Sequence, residues 1–192
     1  MGHSRAEKTD THKRIVRIAS KRMREQGLKG VGIAELMKEA GLTVGGFYKH
    51  FRSRDELVGE AVQSAFGGMK RRLDDDVKAG LTPSYGKLVD DYLTEEHRDK
   101  PGTGCAFSAL TAEIARGDKR TRAIATEQIQ KNFELIGDVI PGKDRRAARA
   151  KAILTFSAMV GAMSLARAVS DEKLSREILK SVDEELKATA RG

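Results

Sequence analysis

The chain has 192 residues, enough for one compact body or two small domains. Its 36 Lys and Arg outnumber 28 Asp and Glu, and the excess is local: residues 1–56 hold 13 basic against 7 acidic side chains, while the other 136 residues are close to neutral. No apolar run approaches the roughly 18 residues needed to cross a bilayer, the single cysteine excludes an internal disulfide framework, and few runs alternate in the way strands require, so an all-α protein with a polyanion-binding end is expected.

In chain order, Thr9, Asp10 or Thr11 can cap a first helix running to about Gln26, with residues 1–9 polar and loose before it. Ile15, Ile18, Ala19 and Met23 form its apolar face, and Gly27 stops it. Gly32 is the N-cap of a second helix, whose apolar positions Ile33, Leu36, Met37 and Ala40 recur at helical spacing. Gly41 follows where a helix favours a left-handed residue, and Thr43 is a suitable cap for a third short helix, Val44 to His50. Two short helices joined by a glycine-bearing turn make a helix-turn-helix, whose second helix fits the DNA major groove.

Gly45 and Gly46 are unusual in that third helix, because each costs about 1 kcal/mol relative to alanine. Close approach of the backbone to DNA would explain them. The alternatives are a loop with no helix, or glycines that relieve crowding against Met37. Tyr48, Lys49 and His50 follow as a phosphate-reaching cluster, Lys29 adds charge, and Val44 and Lys49 are candidates for base contact, with Val44 suited to a thymine methyl.

Ser53 and Glu56 form a capping box that opens a long fourth helix to about Gly80, with Arg54 in its first turn. Gly67-Gly68 could bend it. Pro83-Ser84 starts a fifth helix through Tyr92 to Lys100-Pro101, and a Gly-rich turn leads into a sixth, Cys105 to Ala115. Thr121 to Ile140 reads as a seventh helix, Lys143 to Val169 as an eighth, and Leu174 to Ala188 as a ninth. The second half of the eighth, ILTFSAMVGAMSLARAV, is apolar nearly all round, which asks for burial on every side, including against a partner. Small residues there and the apolar spacing of the ninth helix predict a four-helix homodimer interface through Gly161, Ala162, Leu165, Ala166, Ile178 and Val182.

The run GLTVGGFYKHFRSRDELV resembles the DNA-binding signature of the TetR/AcrR (tetracycline-repressor) family of bacterial regulators. The likeness covers about Lys13 to Val62 and implies contacts to a double-stranded DNA operator from Lys29, Thr43, Val44, Gly45, Gly46, Tyr48, Lys49, His50 and Arg54. It departs at Met37, where a small residue is usual, and at Gly32, where Ser or Thr is usual. It also implies a DNA-binding domain over 1–56, a ligand-binding and dimerisation domain over 57–192, and a cavity among the body helices. Phe66, Met69, Tyr92, Cys105, Phe107, Phe133, Phe156, Met159 and Met163 are its candidate lining, although any one of them also reads as ordinary core.

The expected function is therefore a DNA-binding regulator, a repressor released from a pseudo-palindromic operator by an apolar or aromatic small molecule. Cys105, at a helix start after Gly-Thr-Gly, offers an alternative as an electrophile or redox sensor, against the plainer role of a small buried hydrophobe. His3, His12, His50 and His97 are scattered, with no H-E-x-x-H or G-x-S-x-G pattern, so no enzyme activity, metal or cofactor is expected. A polar N-terminus without a signal-peptide core and the lone cysteine place the expected protein in the cytoplasm, without membrane attachment.

Overall fold

A computed structural model describes residues 5–30 and 32–191. Among these residues there are helices and turns and no strand. The first helix, α1 (Arg5–Gln26), begins earlier than expected. The hydroxyl of Thr9 donates to the Arg5 carbonyl at 2.9 Å, so it serves the interior of the helix rather than its cap. Expectations for residues 1–4 fall outside the described residues. α2 (Ile33–Glu39) starts at Gly32, and a six-residue 3₁₀ helix (Val44–Lys49) follows where an α-helix was expected. Gly27 (φ +84°) and Gly41 (φ +68°) end the preceding helices in the left-handed region, the conformation that favours glycine.

The long fourth helix is broken in two. α3 (Arg54–Phe66) and α4 (Gly68–Lys78) meet at Gly67. The Arg71 guanidinium reaches back across the break and donates to the Ser64 carbonyl at 3.1 Å, which occupies an acceptor freed by the lost helical register. The expected fifth helix is also two, α5 (Tyr85–Tyr92) and α6 (Glu95–Asp99). Thr94 causes that interruption: its hydroxyl accepts the His97 N–H at 3.1 Å and caps a new helix. A 3₁₀ turn (Pro101–Thr103) leads to α7 (Ala106–Ala115), α8 (Lys119–Val139), α9 (Arg145–Ala168) and α10 (Glu172–Arg191). Asp118 and Asp144 cap α8 and α9 through backbone N–H groups, which moves both starts two residues from the expected positions.

Packing divides the molecule into a head and a body. In the head, α1 lies against α2, α3, α7 and the Pro101–Thr103 turn. Ile15, Ala19, Met23, Leu36, Met37, Phe47 and Leu57 are fully buried there. In the body, α9 runs against α7, α8 and α10, with Phe156, Met159 and Met163 buried. No described helix is long and apolar enough to cross a membrane.

The outer face of α9 corrects part of the interface expectation. Ala162 and Ala166 are buried within the protomer, and the Ala166 carbonyl accepts from the Ser175 hydroxyl of α10 at 2.7 Å. They share the inward stripe of Thr155, Met159 and Met163. The outward stripe, four or three residues apart, is Leu154, Ala158, Gly161 and Leu165, with Leu154 and Leu165 each 58% exposed. Ile178 and Val182 on α10 are half-buried.

Candidate nucleic-acid interface and body cavity

The 3₁₀ helix is held from behind by one side chain. Phe47 is fully buried, with its ring 5.4 Å from that of Phe51 and 5.3 Å edge-on from Tyr48. That anchor leaves Thr43, Val44, Gly45, Tyr48 and Lys49 on the outside. Tyr48 is 72% exposed and Val44 50%, large apolar surfaces set beside a cation with nothing of the chain over them. Lys29 and Arg54 are exposed as well.

The paired glycines are not required by the interior. A Cβ at Gly45 would stand in open space, and one at Gly46 would make only ordinary contacts, 3.7 Å from Met37 Cε and 3.7 Å from Thr43 Oγ1. Neither has a positive φ. Crowding against Met37 is thus not the reason for them, although Met37 does pack beneath Gly46. The surface they leave is flat enough for another molecule to approach the backbone.

His50 departs from the expected surface role. It is half-buried, 6.3 Å from the His12 ring and 6.4 Å from the Phe51 ring, and its Nδ1 is enclosed without a partner among the described residues. Burial, then the nearby His12, Lys8 and Lys49, lower its pKa. The reason is the turn after the 3₁₀ helix, which directs His50 back toward α1. His12 itself bridges the head: it stacks on Phe51 at 4.4 Å and pairs with Glu60 of α3 at 2.7 Å. Arg22 on α1 holds Glu39 (2.6 Å) and Glu35 (3.0 Å) of α2, so two acids next to the basic face have their charge answered internally.

Ser53 accepts the Glu56 N–H at 3.1 Å while the Glu56 carboxylate takes the Arg52 N–H, which sets the first turn of α3 and the position of Arg54.

The body holds a cavity of about 240 Å³ that is partly open to solvent. Phe66, Met69, Tyr92, Cys105, Phe107 and Phe156 are on its wall. Phe133, Met159 and Met163 are not: the two methionines are fully buried in the packed core, and Phe133 meets Phe156 edge-on at 5.9 Å from behind the wall. The aromatic side of the cavity is continuous, Phe66 stacking on Phe107 at 4.5 Å and Phe107 lying edge-on to Phe156 at 5.5 Å. Sequence reasoning missed Arg71, Arg72 and Asn132, which also line it. Asn132 was detectable as a polar residue at an apolar register, between Ile129 and Ile136; the two arginines carry no signal that separates them from any solvated helix face.

Cys105 is the half-buried N-cap of α7. Its backbone N–H donates to His97 Nε2 at 2.8 Å, and His97 Nδ1–H donates to the Tyr92 carbonyl at 2.7 Å. This neutral tautomer is enforced by burial, which pulls the His97 pKa down to about 4. Gly104 is needed there, since a Cβ would meet the His97 ring at 2.6 Å.

Two polar ties connect this region to the head. Arg24 of α1 donates from Nε to the Gly102 carbonyl at 2.9 Å and from Nη1 to Ser20 at 2.9 Å; burial lowers its pKa to about 10. The Leu28 N–H donates to the Glu113 carboxylate of α7 at 2.8 Å.

Residues 15–61 match the family model described as bacterial regulatory proteins, tetR family. An HTH-type transcriptional regulator of Mycobacterium tuberculosis is 25% identical, over 86% of this chain and 84% of its own length. Among solved structures, a TetR-family transcriptional regulator from Cytophaga hutchinsonii superposes with a TM-score of 0.74 at 20% identity, covering 98% of each chain. Escherichia coli NemR in its reduced form gives 0.73 at 20% identity, covering 93% of this chain and 96% of the other.

Proposed function

The chain belongs to the tetR family of bacterial regulatory proteins through its DNA-binding head, and from that membership we propose that it is a repressor, released from a pseudo-palindromic DNA operator when a small apolar or aromatic molecule enters the body cavity. The head takes residues 1–56 and the ligand-binding and dimerisation body residues 57–192. Like other regulators that act on DNA, it would work in the cytoplasm.

The observation that carries this reading is the buried Phe47 supporting an exposed Val44-Gly45-Tyr48-Lys49 face. Exposed aromatic and aliphatic side chains next to lysine suit a groove, where the apolar groups meet bases and sugars and the cation meets phosphate. Two such faces are needed for a pseudo-palindrome, about 34–36 Å apart. The outward stripe of α9, Leu154, Ala158, Gly161 and Leu165, together with Leu174, Ile178 and Val182 of α10, supports a homodimer that supplies them.

Release of DNA is a population shift, and the ligand must favour the non-binding conformer by a few kcal/mol to empty the operator. Three features support a route from cavity to head. α4 lines the cavity and is separated from α3 only by the Gly67 break. The Pro101–Thr103 turn contributes Thr103 to the wall and is bound by Arg24 of α1. Glu113 holds the loop before α2.

A second reading has one observation in its favour: Cys105 is on the cavity wall, where an electrophile entering the cavity would meet its thiol. Alkylation of Cys105 that weakens DNA binding, and a Cys105→Ser variant that resists it, would favour that sensor.

Selection of bound duplexes from a random pool tests the main reading. An inverted repeat should be enriched, and its affinity should fall steeply with salt. A strictly monomeric protein, or a pool with no enriched sequence, would refute it.

A further inference from the structure

We propose that the cavity takes a small aromatic carboxylic acid, with its ring against the phenylalanines, its carboxylate at Arg71 and Arg72, and a second acceptor oxygen at Asn132. The inference rests on the body being an effector domain and names the chemical class of the effector.

Size comes first. At about 240 Å³ the cavity lies below the range of drug-sized pockets, which begins at roughly 300 Å³. A single ring with short substituents is the fitting scale. The stacked Phe66–Phe107 pair and the edge-on Phe156 supply the faces and edges that a guest ring prefers.

Charge comes second. The cavity wall carries the acids Asp75, Asp76 and Asp91, all paired with lysines: Asp75 with Lys78 at 3.1 Å, while Asp76 (3.6 Å) and Asp91 share Lys87. The two arginines on the same wall form no ion pair among the described residues, although the Arg72 charge is felt at Glu96. Arg71 donates only to the Ser64 carbonyl, and Arg72 makes no hydrogen bond or ion pair among the described residues. Both lie on α4, exposed at the cavity rim. A planar guanidinium outside any ion pair is a ready partner for a carboxylate, in a charge-assisted and bidentate geometry.

Hydrogen-bonding capacity comes third. Asn132 is 2% exposed and lines the cavity. Its carbonyl oxygen accepts from Gln128 at 3.0 Å, and its amide N–H groups have no partner among the described residues. That amide nitrogen is not sealed from the cavity and stays open to an acceptor oxygen. A hydroxyl or carbonyl oxygen on the ring would satisfy it. The three features together favour an acid with an acceptor oxygen over a purely apolar guest, which would use neither Asn132 nor the arginines.

The consequence for switching follows from the position of α4. A carboxylate held by Arg71 and Arg72 draws on the same helix turn that covers the Gly67 break, since Arg71 would exchange its Ser64 contact for the ligand.

Calorimetric titration of the full chain with four probes tests the assignment: 4-hydroxyphenylacetate, phenylacetate, the isosteric neutral phenylacetamide, and 2-phenylethylamine. Phenylacetate should bind at least tenfold tighter than its amide, and the amine should not bind. The para hydroxyl should add a further few-fold, and Asn132→Leu should remove that increment. Arg71→Gln with Arg72→Gln, both at exposed positions, should bring phenylacetate down to the level of the amide and leave the amide unchanged. Equal binding of acid and amide, or acid binding indifferent to the double substitution, overturns the proposal. Parallel DNA-binding assays keep the two readings apart. If the acid binds in this pattern and DNA affinity stays the same, the ligand class stands and the effector reading falls. If a neutral or cationic aromatic binds and releases DNA, the effector reading stands and the ligand class falls.

Discussion

The head and the body bury similar kinds of side chain but to different ends. Around Phe47 the head is tightly filled: Ile15, Met23, Leu36, Met37 and Leu57 are fully buried, His50 is turned inward with an unpartnered Nδ1, and the paired glycines face outward. The body buries Phe107, Phe156 and Met163 nearly as well, yet keeps 240 Å³ open between α4, α5, α7 and α8, with the Asn132 side chain on the wall. A close-packed unit transmits displacement as a rigid piece, whereas a region with a cavity can be filled and rearranged. On the proposed function, the body would be the sensor and the head the part that is moved.

The contrast can be broken most sharply at its anchor. Phe47→Ala should cost about 3–5 kcal/mol and remove DNA binding with it, read by urea denaturation and a binding isotherm. The same truncation at Phe66, on the cavity wall, should cost less, because one side of the ring already faces space. Equal losses would mean that the two regions are equally packed.

Acid should find the body before the head. The folded-state pKa of His97 is about 4, below its unfolded value, so its contribution to stability is complete above about pH 6.5 and is lost as pH falls toward 4. The full loss is on the order of 3 kcal/mol for that shift, and His50, also lowered, acts in the same direction. His97→Gln should flatten the dependence of thermal midpoint on pH across this window. An unchanged slope would remove His97 as its source.

At the outward face, Gly46→Leu should leave the thermal midpoint within a few degrees and lower DNA affinity at least tenfold, because the interior tolerates a Cβ there while the groove does not. Retained affinity would end the close-approach argument. Lys49→Ala and Arg54→Ala should each weaken binding to all sequences and reduce the salt slope by about one. The smallest effect belongs to Val44→Ala: overall affinity should change little, on the order of 1 kcal/mol, with altered preference in a selected site profile.

Much of this was legible beforehand, and the pattern of what was not is informative. Gly27, Gly41, the Ser53–Glu56 box and the heptad-like apolar spacing of α1 and α2 are short-range signals, each contained within about four residues, and each is found as read. The split at Thr94 was missed because a threonine inside an otherwise helical run has no marker until its hydroxyl captures the His97 N–H. His50 looked like a surface cation of the motif, and only the packing of α1 over it turned it inward. Ala162 and Ala166 read as small interface residues, and α10 covers them.

Composition and local order alone therefore determined a helical chain with a basic head that carries a helix-turn-helix pattern and paired glycines, because caps, left-handed glycines and apolar periodicity act over one or two turns. Tertiary structure alone decided which face of α9 stays uncovered, where the cavity opens, and that Arg71, Arg72 and Asn132 meet on one wall. Asn132 is far in sequence from the adjacent arginines, and what stands beside an amide or a guanidinium is a property of its neighbours in space.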